Sequence, residues 1–399
     1  MRVAFFTDSF HEINGVAHTS RNLDAFARRR NYPFLSIHAG EETSSVRTGN
    51  HIELNLKRTP VGFPLDNNMS FDLFFMRHWS RVIRELKAFQ PTVIHLTGPS
   101  DVGILGLIAA QRLGVPILAS WHTNLHEYAG TRLGSMLSLL LSATARRSLE
   151  RLAEGKSLDA LSIYYSFGNL LLAPNEELRV MLEAKTHRPC QLMHRGVDRE
   201  LFNPLRRSRT DNAVVIGFCG RLRPEKNVRL LARVDEMLKA EGFTNYRFLV
   251  VGDGSEREWL QQNIKSIELP GVLRGVELAQ AYANMDLFLF PSWTDTFGNV
   301  ILESLASGVP CVVTQGGGPK FLIEDGVSGL VCDSDAKFVA ATVAVVRNAE
   351  QQRRLREGAL QSKFVQTWDD VFERLYKDYQ QCVALAMPRS LDPSPSLSS

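Results

Sequence analysis

Acids and cations recur where short apolar runs give way to polar turns, and their spacing suggests what they bind. The segment Pro291-Ser292-Trp293-Thr294-Asp295-Thr296-Phe297-Gly298-Asn299-Val300-Ile301-Leu302-Glu303 reads as the end of a strand, a turn and the start of a helix. At about 1.5 Å of rise per residue, Asp295 and Glu303 stand on the order of 10 Å apart along the axis. That separation suits two carboxylates gripping opposite ends of a sugar–diphosphate–ribose. The helix opening at Phe297, Gly298 and Asn299 offers unpaired N–H groups and a positive dipole end, which favour a diphosphate. Taken alone, Asp295 reads equally as an acid beside a helix cap and Glu303 as a solvated helix residue.

A second cluster, Gly220-Arg221-Leu222-Arg223-Pro224-Glu225-Lys226-Asn227, follows the apolar run 214–218. Arg221 would hold phosphate oxygens with a bidentate fork and Lys226 as a point charge. The same pair would stabilise a departing nucleoside diphosphate, although a basic loop is also ordinary solvated surface. Gly15, in the turn Asp8-Ser9-Phe10-His11-Glu12-Ile13-Asn14-Gly15-Val16, would let backbone approach a ligand closely; a plain turn reads as well. His122, in Ser120-Trp121-His122-Thr123-Asn124, ends another apolar run, and Gly316-Gly317-Gly318-Pro319-Lys320 brings bare backbone to one more strand end. A lone histidine is often structural. What these segments share is their place at the C-terminal ends of predicted strands.

Strands and helices must alternate to place them so. Apolar runs at 3–6, 34–38, 92–96 and 117–120 are interleaved with helical-period stretches at 19–30 and 103–113. After the polar, basic stretch 206–212, taken as a linker, the alternation restarts. Strands are expected at 214–218, 247–251, 272–274, 287–290 and 309–313, and helices at 227–241, 256–267, 277–283 and 299–307. This predicts an α/β protein of two doubly wound units, with ligands at the strand C-termini. The expected division is 1–205, 206–367, a last helix over 368–387 returning to the first unit, and a Ser/Pro-rich disordered tail over 388–399.

Composition narrows the class. The 399 residues allow two domains, and a formal charge of +3 gives no reason to expect nucleic acid as a partner. Five scattered cysteines without a C-x-x-C pair fit a reducing cytoplasm rather than a disulfide framework or zinc ribbon. The N-terminus meets charge too soon for a signal peptide, and no apolar run is long enough to span a bilayer. Residues 131–156 combine a leucine stripe with Arg132, Arg146, Arg147, Arg151 and Lys156. They would lie on an anionic leaflet, at the inner face of the plasma membrane, or else form a buried helix followed by a basic turn.

The stretches 220–227, 251–254, 290–303, 308–310 and 316–329 together resemble the retaining glycosyltransferases of family 4, which have the GT-B fold: two Rossmann-like domains facing each other across a cleft. Segments 7–16, 120–124 and 195–202 are similar to those of bacterial α-mannosyltransferases that use GDP-mannose and lipid-linked acceptors, and of sulfoquinovosyl-diacylglycerol synthases. The resemblance implies that Arg221 and Lys226 hold the donor diphosphate, Asp295 the transferred sugar and Glu303 the ribose. His122 would touch the sugar near the reacting centre, and Gly15 the phosphate. Asp295 departs from the family's usual Glu by one methylene. A shift of about 1 Å in reach can cost about a hundredfold in rate, or mark a different sugar.

The implied reaction is front-face hexosyl transfer with retention from a nucleotide sugar, best guessed as GDP-mannose, to a lipid or glycan acceptor. No cofactor or metal is expected, because Arg221, Lys226 and the helix at Phe297 would neutralise the leaving group. Alternatives are transfer from a UDP-sugar to a lipid, a 2-epimerase on the same fold, and a nucleotide-sugar-binding subunit without activity. A nicotinamide oxidoreductase is disfavoured because no G-x-G-x-x-G follows the first strand.

Overall fold

The computed structural model describes residues 1–12, 15–59, 62–66, 69–72, 74–122, 156 and 158–387. Two compact units emerge, Met1–Met193 with Phe372–Ser399, and His194–Val371.

The first unit is built on an eight-stranded sheet. Its strands are β1 (Val3–Thr7), β2 (Phe34–Gly40), β3 (Ser44–Thr48), β4 (His51–Lys57), β7 (Val93–Leu96), β8 (Ile117–Ser120), β9 (Leu170–Ala173) and β10 (Cys190–Leu192). A separate antiparallel pair is formed by β5 (Gly62–Asp66) and β6 (Met69–Asp72). The sheet order is β10-β9-β8-β7-β1-β2-β4-β3, parallel except for edge strand β3, which runs antiparallel to β4. Sequences such as Val-Ala-Phe-Phe-Thr in β1 are buried along their whole length, as expected for a parallel strand covered on both faces. Sequence reading passes over β3 because its residues are polar and mostly exposed, so no apolar period marks it.

Helices α1 (Gly15–Arg29), α2 (Trp79–Phe89), α3 (Asp101–Leu113) and α4 (Glu176–Thr186) cover the sheet. The ends of α3 show why it sits where it does. Ser100 caps it by accepting from the Gly103 amide at 3.1 Å, and Gly114 closes it in the left-handed region.

The second unit has six parallel strands: β11 (Val214–Cys219), β12 (Tyr246–Val251), β13 (Ile267–Gly271), β14 (Leu287–Phe290), β15 (Cys311–Thr314) and β16 (Gly329–Cys332). Their order, β13-β12-β11-β14-β15-β16, is the 3-2-1-4-5-6 arrangement of a dinucleotide-binding sheet. The helices are α5 (Leu230–Ala240), α6 (Arg257–Asn263), α7 (Gly275–Ala283), α8 (Asn299–Ala306), α9 (Asp335–Arg347) and α10 (Ala349–Leu360). Phe288, fully buried in β14, packs on Tyr282 of α7 with ring centroids 5.6 Å apart. Truncating such a ring to alanine costs about 3–5 kcal/mol.

The final helix, α11 (Trp368–Ala386), starts in the second unit and joins the first from Phe372 onward. There Phe372 meets Phe26, and Tyr376 meets Tyr32.

Three expectations need correction. No strand forms at 272–274, and the helix expected over 256–267 ends at Asn263. The strand is Ile267–Gly271, whose alternating half-burial and Pro270 mark an edge strand. Residues 206–212 are not a free linker: Arg207 and Arg209 clamp Asp286 at 2.7 and 2.5 Å, and Asp286 also accepts from the Val215 amide. The second unit accordingly begins at His194, upstream of 206. The expected tail 388–399 lies outside the described residues.

Candidate active site

In the second sheet the strand order reverses between β11 and β14, and the loops after those strands flank the crevice this creates. Both predicted clusters are on these loops. Lys226 ends a short 3-10 turn, Pro224–Lys226, and Asn227 takes the left-handed conformation at φ 52°. The Lys226 Nζ donates to Asp295 Oδ1 at 2.5 Å, and the two side chains are 15% and 22% exposed. Asp295 Oδ2 is buried and, among the described residues, has no hydrogen-bond partner. A buried acceptor without a donor costs about 1–3 kcal/mol, so this oxygen marks a place where a ligand donor would be favoured.

Backbone-to-backbone packing braces both loops. A Cβ on Gly252 would come within 1.9 Å of the Gly220 carbonyl, and one on Gly254 within 2.3 Å of the Leu222 carbonyl. The three glycines 316–318 act likewise. Cβ atoms there would strike the carbonyls of Trp293, Asp295 and Thr296, and the Gly318 amide donates to the Asp295 carbonyl at 2.6 Å. The bare backbone expected at this strand end thus lies against the Asp295 loop and sets its path.

Side chains that sequence reading missed complete the brace. Asp335 Oδ1 accepts from Trp293 Nε1 at 3.0 Å and from Asn227 Nδ2 at 3.3 Å, tying the two loops together. Thr314 Oγ1 donates to the Ser292 carbonyl at 2.5 Å, and Ser292 Oγ to that of Glu225 at 3.4 Å. The only sequence signal for Asp335 was the Ser334 cap of α9, which reports a helix start and not a brace.

Helix α8 opens on Gly298 at φ 92°, with no side-chain cap. A residue with a Cβ is strained there, so the helix keeps its amide end uncovered by a cap. Phe297 is buried, its ring 5.8 Å from the buried guanidinium of Arg195. Burial lowers Arg195 to about 10. Asn299 starts the helix, partly exposed. Glu303, one of the expected donor ligands, keeps part of its surface open. Desolvation nevertheless raises its carboxyl to about 7, against the pull of the neighbouring Tyr282 hydroxyl. That hydroxyl is buried and lies outside ordinary hydrogen-bond geometry. Arg221 is half-exposed and pairs with Glu225 at 3.8 Å.

In the first unit, Gly15 is the exposed first residue of α1. His122, just beyond β8, is half-buried, with its Nε2 2.7 Å from Ser120 Oγ. Residues 13–14, Thr123 and Asn124 lie outside the described residues, as does nearly all of the basic stretch 131–156. The 195–202 motif belongs to the second unit and is structural in part. A Cβ on Gly196 would meet the Trp368 backbone at 2.5 Å, and the Val197 amide donates to the Gln366 carbonyl at 2.9 Å. Among the described residues no cluster of His, Cys, Asp or Glu is arranged to hold a metal ion, and no helix is long and apolar enough to cross a membrane.

Comparison with known proteins agrees with this geometry. A family model described as glycosyl transferases group 1 matches residues 213–348, and one described as glycosyltransferase family 4 matches 13–201. The GDP-mannose-dependent alpha-mannosyltransferase of Mycolicibacterium smegmatis is 30% identical over 390 residues, spanning 95% of this chain and 97% of the relative. A sulfoquinovosyl transferase of Arabidopsis thaliana is 32% identical over 258 residues, 61% of this chain and 47% of the relative. Among solved structures, the sucrose-phosphate synthase of Thermosynechococcus elongatus superposes with a TM-score of 0.67 at 16% identity, covering 96% of this chain and 99% of that one. Anabaena HepE in complex with UDP gives 0.66 at 15% identity, with 96% and 100% covered. With a Rossmann-ordered second sheet, a braced Lys226–Asp295 pair and a mannosyltransferase relative matched over 97% of its length, this chain belongs to the family-4 glycosyltransferases of GT-B fold.

Proposed function

We propose that this glycosyltransferase moves a hexose, mannose from GDP-mannose in the first instance, to a lipid or glycan acceptor with retention of configuration. The observation that carries the reading is the orphaned Asp295 Oδ2 beside the Lys226–Asp295 ion pair. A sugar hydroxyl would supply the missing donor, while Lys226, Arg221 and the uncapped end of α8 stabilise the departing diphosphate. Phe297, Gly298 and Asn299 form that end, Gly15 approaches the phosphate, and Glu303 accepts from the ribose hydroxyls. His122 contacts the sugar beside the reacting carbon. The acceptor hydroxyl attacks the anomeric carbon on the face from which the diphosphate leaves. The mannosyl choice is supported by the names of relatives aligned along 95% of the chain. The shorter acid at 295, with the sulfoquinovosyl relative, favours a second reading, transfer from a UDP-sugar to a lipid.

The test is a donor-hydrolysis and transfer screen of GDP-mannose, UDP-glucose, UDP-galactose and UDP-N-acetylglucosamine with the purified protein and its Lys226→Ala variant. We expect GDP-mannose turnover that the variant loses while keeping its fold. Full activity in Lys226→Ala would sink the assignment of this site. A peripheral contact with anionic membrane, at the cytoplasmic face, is part of the proposal. Liposome flotation with and without anionic lipid tests it, and equal binding would refute it.

A further inference from the structure

A line of polar side chains crosses the core of the first unit and ends at His122. Tyr379 of α11 places its hydroxyl 2.8 Å from His95 Nδ1; His95 Nε2 is 2.9 Å from Ser120 Oγ; Ser120 Oγ is 2.7 Å from His122 Nε2. Tyr379, His95 and Ser120 are at most 1% exposed. Phe5 packs edge-on against the His95 ring, with centroids 5.1 Å apart. Such a chain carries protons in one of two directions, and burial decides between them.

Among the described residues the Tyr379 hydroxyl has His95 as its hydrogen-bond partner. If His95 Nδ1 carried a proton, it would donate to the tyrosine oxygen, and the phenolic O–H would be left buried without an acceptor. The cost of that is about 1–3 kcal/mol. A doubly protonated His95 strands the same hydroxyl. Tyr379 therefore donates to Nδ1, His95 Nε2–H donates to Ser120 Oγ, and the Ser120 proton goes onward. Among the described residues its possible acceptors are His122 Nε2 at 2.7 Å and the Leu96 carbonyl at 3.4 Å; the latter lies at the long end of the hydrogen-bond range, so the proton is held best on the His122 side.

We propose that Tyr379, His95 and Ser120 are positioning residues whose ordered hydrogen bonds fix His122 as the Nδ1–H tautomer. Resting on the transferase reading above, this makes His122 a hydrogen-bond donor towards the sugar, with its Nε2 lone pair already engaged. It also assigns a role in the reaction to a residue of the last helix, far from His122 in sequence.

The experiment is 15N NMR of histidine-labelled full-length protein without substrate, paired with steady-state kinetics of wild type, Tyr379→Phe and Ser120→Ala. The wild-type His122 should show a protonated Nδ1 and a bare Nε2. Tyr379→Phe should give a mixture of tautomers and a fall in kcat on the order of tenfold, with donor KM within about twofold. Ser120→Ala should release the tautomer even if Tyr379→Phe proves unstable. A protonated Nε2 in the wild type overturns the proposal, as does an unchanged tautomer in both variants. The tautomer is read without substrate, so a failed transfer assay would count against the transferase reading and leave this result standing.

Discussion

Asp101 and Asp295 hold matching topological positions in the two units. Each follows the strand that lies across the switch point from its unit's first strand, β7 beside β1 and β14 beside β11. Each is bound by a basic residue from a distant segment. Asp101 is saturated: Arg58 reaches both its oxygens at 2.9 and 3.1 Å, and the amides of Val102 and Asp72 fill the remainder. Among the described residues Asp295 is paired through Oδ1 alone, and Oδ2 has no donor. The contrast separates an ion pair whose acceptor positions are all engaged from one with an oxygen left open, the one proposed to meet the donor. What distinguishes them is the count of satisfied lone pairs, since both are substantially buried.

Breaking the Lys226–Asp295 pair should have the largest effect on function. Lys226→Ala is expected to lower transfer by about 10³-fold with a smaller fall in melting temperature than Arg58→Ala, because the Asp295 side chain is 22% exposed against 1% for Asp101, read by steady-state kinetics and thermal unfolding. Arg58→Ala should do the reverse. It strands a buried carboxylate and costs about 3 kcal/mol of stability, while nucleotide affinity measured by calorimetry stays within about twofold. An Arg58 variant that keeps full stability but loses nucleotide binding would dissolve the contrast.

A smaller effect should come from the brace. Gly317→Ala drives a Cβ to 2.2 Å from the Asp295 carbonyl, at a φ of 66° that resists a side chain. The resulting displacement of Asp295 should lower kcat by about a hundredfold, measured by steady-state kinetics.

Glu303 gives the pH test. Its folded value of about 7 lies above the ordinary 4.5 because of desolvation. Between those values the folded protein holds a proton that the unfolded chain has released. Its contribution to stability is therefore full below about 4.5 and falls as pH rises through 7. Donor binding should run the other way, since the ionised carboxylate is the better acceptor for ribose hydroxyls. Donor KM is expected to drop several-fold from pH 6 to pH 8, and Glu303→Gln should flatten both trends. A slope that survives in Glu303→Gln would place the titrating group elsewhere.

The smallest effect concerns the acid's length. Asp295→Glu restores the family's usual residue and should change donor preference by no more than about tenfold, measured as the ratio of kcat/KM for GDP-mannose and UDP-glucose. A change of sugar on this substitution would show that the shorter acid selects the donor.

The alternation of apolar runs and helical periods sufficed to predict two parallel-sheet units and to put the acids and cations on loops at strand ends. Ile117–Ser120 and Leu287–Phe290 coincide with the observed strands, because buried parallel strands are apolar throughout and leave a local signal. The Ile267–Gly271 strand and the clamped 206–212 stretch were illegible for the opposite reason: an edge strand and an ion-paired tether look like turn and linker.

The site divides along the same line. Residue types and local periodicity were enough to nominate Lys226, Asp295, Glu303, Gly298 and His122, since helix starts and strand ends are set within a few residues of chain. Only the tertiary structure decided that Lys226 pairs with Asp295, that Asp335 ties their loops, that three glycines serve as a brace, and that Tyr379 reaches His122 through His95 and Ser120. Apart from the Ser120–His122 bond, those contacts join residues about two dozen to nearly three hundred positions apart. No local propensity encodes them, because a hydrogen bond depends on where packing finally brings two atoms.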